Sequence, residues 1–281
     1  MTGRLAADIL RWLKQWRPEV FDRLEYVICE PSHRRREWQR ETLQAFLPQV
    51  RWLETALSRK AGSFNGAIFS NELLDAMPPH RVGWNAQRRE WFEWGVIADG
   101  DVFAWKRMEV SDFLNAESLG LRRLSELPDE LLDVLPDDFT TEICPAAENW
   151  WRDAGAALQR GRLMTLDYGL SAEDFFAPRR AGGTLRAYHR HKFCEDLLAN
   201  AGDQDLTAHV NFSAIQKAGV AAGLKTERFT TQADFFAGIM KEFWPEAERR
   251  SAWTSERSRE FQTLVHPEHL GRAFRIMVQS R

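Results

Sequence analysis

Three short apolar runs in this chain each give way to an acidic residue. Leu24 to Cys29 is followed by Glu30, Ala67 to Phe69 by Ser70, Asn71 and Glu72, and Leu163 to Leu166 by Asp167 and Tyr168. In open α/β sheets, ligands bind beyond the carboxyl ends of the strands, so chemistry is expected from these side chains. Glu30 stands where one carboxylate could accept hydrogen bonds from both ribose hydroxyls of an adenosine cofactor. Gly3, just ahead of a helical pattern, would be the last glycine of a loop approaching a phosphate or carboxylate. A solvated acid after a strand is the competing reading of Glu30. Asn71, Glu72 and Asp75 equally suit a helix start, with Asn71 as cap and the two acids in the first turn.

Other polar residues carry less. His209, in LTAHVNF, suits a proton acceptor or substrate orienter, or a histidine packed at a strand end. His189 and His191 alternate along an extended segment without an evident third ligand, so a metal pair is disfavoured. Ser70 has no GxSxG context for a hydrolase nucleophile.

The elements that must position these groups alternate between helical and strand patterns. Residues 4–17 have helical spacing and stop before Pro18; Ser32 can cap a helix through about Phe46; Val50 to Leu53 is a short strand; Ala67 to Phe69 has the composition of a fully buried parallel strand. Such alternation implies a parallel sheet with right-handed crossovers. From Trp84 to Trp105 the pattern changes to aromatic alternation around Asp99-Gly100, a hairpin turn signal, and predicts an antiparallel excursion. Arg88, Arg89, Lys106 and Arg107 there could suit single-stranded nucleic acid, but the interleaved Glu90, Glu93, Asp99 and Asp101 favour packing. Ser111 to Asp138 reads as short helices forming a cover, with a lid as one role. Ala146 to Arg160 reads as a helix stopped by Gly161, Ser171 to Asp205 as a long loop, and Asn211 to Gly223 as a helix. Lys225 to Phe229 is a strand candidate, helices follow to about Phe261, and Phe274 to Val278 is a terminal strand.

The chain has 281 residues, 44% of them hydrophobic, and a formal net charge of -3, enough for a sizeable core and without a global attraction to nucleic acid or membrane. No apolar run approaches the roughly 20 residues of a membrane helix. Cys29, Cys144 and Cys194 are odd in number and far apart, which suits a reducing compartment better than a disulfide framework. The basic, amphipathic stretch from Arg4 to Arg17 contains Asp8 and no serine, so a structural helix is preferred to a transit peptide.

Five motifs in order, SNELLDAMPPHRV (Ser70 to Val82), TEICPAAENW (Thr141 to Trp150), LDYG (Leu166 to Gly169), GTLRAYHRHK (Gly183 to Lys192) and QDLTAHVNFSAI (Gln204 to Ile215), resemble the MidA family of S-adenosylmethionine-dependent methyltransferases. The resemblance covers essentially the whole chain. It implies an α/β, Rossmann-like class I methyltransferase sheet with an inserted antiparallel hairpin and helical cover. The implied organisation is 1–82 and 141–281 as two parts of the core around an insertion at 83–140. Family members normally begin with a further stretch and a glycine-rich loop of which Thr2-Gly3-Arg4-Leu5 resembles the end. The first strand is therefore expected to be missing and cofactor binding weakened.

The resemblance also assigns roles. Gly3, Glu30, Glu54 and Asn71 are implied at S-adenosyl-L-methionine, with Glu54 near the adenine. Asn71, Glu72 and Asp75 fall where such enzymes reach the accepting nitrogen, with Glu72 and either Asp75 or Asp167 as the gripping pair; His209 joins the catalytic candidates on its own reading, and Tyr168 and Tyr188 could line the substrate channel or simply pack. A guanidinium is planar and permanently charged, so carboxylates can grip it bidentately and localise its charge. The implied activity is methylation of a protein side-chain nitrogen, arginine above others, on a respiratory-complex subunit. The implied setting is the cytoplasm of bacteria and the mitochondrion of eukaryotic relatives, without nucleic acid or membrane insertion and with a homodimer admitted. Two rivals remain at this stage: a non-catalytic assembly factor that binds a partner through the Trp84 to Trp105 hairpin, and a nicotinamide dehydrogenase.

Overall fold

The computed structural model describes residues 2–54, 61–100, 102–110, 124, 127–243 and 254–281, in two compact units that divide after Lys60. In the first unit, α1 (Arg4–Trp16) starts from Gly3 at φ 83 and buries Ala6, Ala7 and Leu10. After a helical turn at Pro18–Phe21 come β1 (Tyr26–Cys29), α2 (His33–Thr42) and β2 (Val50–Leu53). Ser32 caps α2 by accepting a hydrogen bond from the Arg35 N–H at 3.4 Å. The chain then tightens into a 3-10 segment at Gln44–Gln49 that contains Pro48. The expected helix to Phe46 therefore ends at Thr42, because a proline ahead restricts the preceding residue and supplies no donor. β1 and β2 pair in parallel, Tyr26 opposite Val50 through Cys29 opposite Leu53. Leu10, Phe21, Leu43, Phe46 and Val50 fill this unit's core.

The second unit is built around one long strand. Its strands are β3 (Phe64–Asn71), β4 (His80–Asn85), β5 (Glu90–Asp99), β6 (Val102–Met108), β7 (Thr140–Ile143), β8 (Leu158–Leu170), β9 (Arg186–His189), β10 (Lys192–Cys194), β11 (Asp205–Thr207), β12 (Val210–Asn211), β13 (Lys225–Thr231) and β14 (Phe274–Ser280). Its longer helices are α3 (Pro145–Ala157), α4 (Phe212–Ala221), α5 (Gln232–Phe243) and α6 (Ser255–Val265). β3 and β12 run parallel to β8 along one side; β14 lies antiparallel on the other, with β13 outside it. α3 and α4 bury Trp151, Ala154, Phe212 and Ile215 with Leu163 and Met277 of the sheet. The Trp151 indole N–H donates to Gln279 Oε1 at 2.6 Å, so this buried ring is also satisfied.

The antiparallel excursion forms its own sheet in the order β6-β5-β4-β7. Gly100, at φ 61, turns β5 into β6, and Trp84 and Trp91 pack at 5.1 Å between ring centres. Arg88 pairs with Glu90, Arg89 with Asp129 and Asp133, and Arg107 with Asp138. Those guanidiniums are thus engaged by the protein's own carboxylates.

Several expectations need correction. β3 is parallel, but Ala67 and Phe69 are exposed; among the described residues it pairs with β8 alone and lacks a strand on its other edge. No helix follows it, so Asn71 does not cap one. The helix from Pro145 ends at Ala157, and Leu158 to Arg160 already belong to β8. Gly161 is no helix stop: at φ 147 it exchanges backbone hydrogen bonds with Arg281, and a Cβ there would run into the Gly66 carbonyl. Asp167 lies inside β8, which continues to Leu170. The long loop over 171–205 contains β9 and β10, joined through Arg190 and His191 at φ 51 and φ 64, so His189 ends a strand while His191 lies within the tight turn. Most of the cover expected over 111–138 lies outside the described residues, apart from one turn at Asp129–Leu132. Asp101 and part of the helical stretch expected up to Phe261 also lie outside them.

Candidate active site

The second unit gathers Glu72, Asp75, Asp167 and Tyr168 around the end of β3. Asp167 projects from β8, fully buried, and its oxygens accept three backbone N–H bonds. Leu74 and Leu73 donate to Oδ2 at 2.9 and 3.2 Å, and Tyr168 to Oδ1 at 2.9 Å. A carboxylate held this way fixes the turn at 72–74 against the sheet. Three of the acceptor positions of Asp167 are thus taken up by the loop and its own strand.

Asp75 is also buried, and its Oδ1 has no hydrogen-bond partner among the described residues. Burial raises its carboxyl above the ordinary range, the Glu72 charge adds to that, and a hydrogen bond with Asp167 partly offsets it. Asp167 is pushed up to about 7, first by burial and then by the Asp75 charge, against its three N–H bonds. Two acids this close cannot both ionise cheaply, so the pair retains a proton well above the usual carboxylate range.

Glu72 differs from both. It is exposed, and its backbone sits at φ 47, a left-handed conformation that costs a non-glycine residue on the order of 1 kcal/mol. Its N–H donates to the Leu166 carbonyl at 3.0 Å, and its Oε1 accepts from Asn71 Nδ2 at 3.0 Å. The strain therefore persists because β8 and Asp167 hold both flanks of the residue. Tyr168 stacks on Phe274 at 3.9 Å between ring centres; burial, then the charges of Glu72 and Tyr188, raises its phenol.

His209 stands one step away, just ahead of β12. The neighbouring Ala208 N–H donates to the Asp75 carbonyl at 3.1 Å, tying this segment to the loop. Burial and then the charges of Arg180 and Arg186 hold the imidazole down to about 4, leaving it neutral at physiological pH.

In the first unit, Glu30 follows β1 and is buried. Its Oε1 accepts from the Ser32 N–H at 3.0 Å and its Oε2 from Gln39 Nε2 at 3.3 Å. Gln39 is itself oriented by the Trp52 indole, which donates to its Oε1 at 2.9 Å. Gly3 lies beside Gln39: a Cβ there would meet the Gln39 backbone at 3.4 Å. Glu54 is exposed and pairs with Arg36 at 3.3 Å.

Against this geometry stand the comparisons with known proteins. Residues 2–230 match a family profile described as "Putative S-adenosyl-L-methionine-dependent methyltransferase". The chain belongs to that methyltransferase family. Among solved structures, a COG1565 superfamily member from Burkholderia thailandensis, bound to S-adenosyl-homocysteine, is 32% identical with a TM-score of 0.80. The similarity covers 100% of this chain and 69% of that one. A native crystal structure of an uncharacterised COG1565 superfamily protein from the same organism is 31% identical, with a TM-score of 0.78, over 100% and 71% of the two chains. No curated protein matches.

The methyltransferase is thus an S-adenosyl-L-methionine-dependent enzyme on a Rossmann-like α/β fold. Its Glu30 fits an adenosine ligand chemically: each carboxylate oxygen takes one N–H from the protein, and an ionised carboxylate offers about four acceptor positions. Among the described residues, no helix is long and apolar enough to cross a membrane. Sequence reasoning passed over Glu142 and Thr184, although both lie in quoted motifs. Each is buried at a position where an apolar residue would be ordinary, and a carboxylate in a four-residue strand ahead of a proline is the signal that was available.

Proposed function

We propose that this methyltransferase modifies a nitrogen of a protein arginine side chain, with a subunit of a respiratory complex as its target. The observation that carries the reading is Glu72: an exposed carboxylate, set by a strained backbone at the end of a parallel strand, beside two acids that share a proton. In this reading Glu30 and Gly3 hold the adenosyl part of the cofactor, with Glu54 assigned to the same ligand. The bound cofactor supplies an electrophilic methyl group on a sulfonium. Glu72 grips two guanidinium nitrogens and draws the charge toward them, which leaves the far nitrogen free to act as acceptor. Asn71 orients Glu72 through its amide. Asp75 and Asp167 keep the turn rigid, so orientation is fixed before the substrate arrives. Tyr168 borders this acidic end of the sheet, where its ring can exclude water from the acceptor.

The arginine and respiratory-complex assignments rest on the MidA resemblance together with this acidic end of the sheet. Incubation of the chain with isotope-labelled S-adenosylmethionine and arginine-bearing peptides, with product mapping by mass spectrometry, tests them. Methylarginine is the expected product. Label on lysine, histidine or a small molecule instead would overturn the arginine assignment.

A further inference from the structure

Glu142, Thr184 and His209 come from three separate motifs and meet in the second unit. Glu142, on β7, is 4% exposed. Its Oε2 accepts from the Thr184 N–H at 2.7 Å and the Thr184 hydroxyl at 2.8 Å, and that hydroxyl oxygen accepts the His209 backbone N–H at 3.1 Å. Gly183, at φ +76, packs so closely on the carboxylate that a Cβ would collide with it. One threonine thus fixes both neighbours. What remains is a buried Glu142 Oε1 and a buried His209 Nδ1, neither with a hydrogen-bond partner among the described residues.

Glu142 and His209 both line a cavity of about 50 Å³, with walls that include Leu74, Ile143, Phe176 and Ile215. A single water takes roughly 10–15 Å³ of such space, so there is room for a small planar group. The charged residues that line it, Glu142 and Glu148, are both acidic. Arg81 acts on Glu142, and Arg180 and Arg186 on His209, but none of the three lines the cavity. Cys144, also in the wall, is a protonated thiol, pushed up to about 11 chiefly by burial. Buried polar atoms are normally hydrogen-bonded, the more so when charged, so two unpartnered acceptors on residues that line one cavity call for a donor.

We propose that this cavity is a subsite for a planar N–H cation, the guanidinium of a substrate arginine, with Glu142 Oε1 and His209 Nδ1 accepting its N–H bonds and Thr184 fixing both acceptors. The proposal rests on the arginine reading above for the identity of the cation. The guanidinium can come from an arginine flanking the methyl acceptor, with Glu72 holding the acceptor, or from the acceptor itself, with Glu142 taking that grip in place of Glu72; the two share one recognition chemistry.

Methylguanidinium, titrated into the full chain with isotope-labelled histidine and followed by NMR, is the direct probe. Saturable binding that shifts the His209 ring nitrogens is expected, with methylammonium weaker because it lacks the planar fork. Glu142→Gln keeps an oxygen for Thr184 and places an amide donor in the cavity. It should weaken methylguanidinium by about tenfold while leaving S-adenosylhomocysteine binding unchanged. A titration that leaves His209 unmoved, or wild-type affinity in Glu142→Gln, overturns the subsite, and the wild-type titration decides even if that variant misfolds. In transfer assays, a raised KM for single-arginine peptides in Glu142→Gln marks the acceptor itself. An effect confined to two-arginine peptides marks a flanking residue, and no effect on either overturns the subsite while the arginine reading stands. Occupancy by methylguanidinium together with methylation of another residue type would sink the arginine reading alone.

Discussion

Glu30 and Asp167 follow the same kind of apolar run, yet the two units use them differently. In the first unit the carboxylate takes one N–H on each oxygen and retains acceptor positions for a ligand. In the second it takes three backbone N–H bonds and shares a proton with Asp75. One acid keeps acceptor positions open, and the other spends most of its own on the backbone around it. The difference shows that acids in the same sequence setting can have their acceptors consumed by the surrounding backbone or left open.

Asp167→Ala should give the largest effect: three backbone N–H groups, that of Leu74 buried and the other two part-buried, lose their acceptor, and denaturant unfolding should report a loss of about 3–5 kcal/mol. A loss below about 1 kcal/mol, within the range of ordinary surface substitutions, would mean the turn at 72–74 is held by other contacts and the contrast fails. Glu30→Gln should show the opposite balance: its amide can serve only one of the Ser32 and Gln39 donors, so stability to denaturant should fall by only about 1–2 kcal/mol, while calorimetry shows S-adenosylhomocysteine bound about 10- to 100-fold more weakly, as expected for loss of hydrogen bonds to a charged group. Unchanged affinity would make Glu30 another framework acid.

The smallest effect is a slope. Because Asp167 titrates near 7 in the fold and near 3.8 unfolded, its contribution to stability is full below the unfolded value and is lost as pH rises through the folded one. Asp75→Asn removes the neighbouring charge, so the variant should gain on the wild type by about 1–2 kcal/mol between mildly acidic and mildly alkaline pH. Parallel stability curves for the two proteins would show that the acids do not interact.

Much of the architecture was legible. Val50–Leu53, the helix from Arg4, the Asp99-Gly100 hairpin and the terminal strand at Phe274 all follow from local periodicity and turn chemistry, which the tertiary structure reinforces. The failures share one cause, since strand boundaries and burial depend on partners far along the chain. Gly161 reads as a helix stop, but its conformation is required by the close approach of Gly66 and by pairing with Arg281. Ala67 to Phe69 is apolar enough for a central strand, yet Ala67 and Phe69 are exposed, because composition does not report which neighbours a strand has. At the site, the acids themselves were visible, whereas which of them the backbone engages was not. Glu142 escaped notice because its importance lies in an oxygen that nothing contacts.

Turnover set beside cofactor affinity in Glu72→Gln tests the central claim most directly. The account predicts that S-adenosylhomocysteine binds as in the wild type while methyl transfer falls at least about 100-fold, the scale of losing a charge-assisted grip on the acceptor. Wild-type turnover with unchanged binding would contradict it and remove Glu72 from the chemistry.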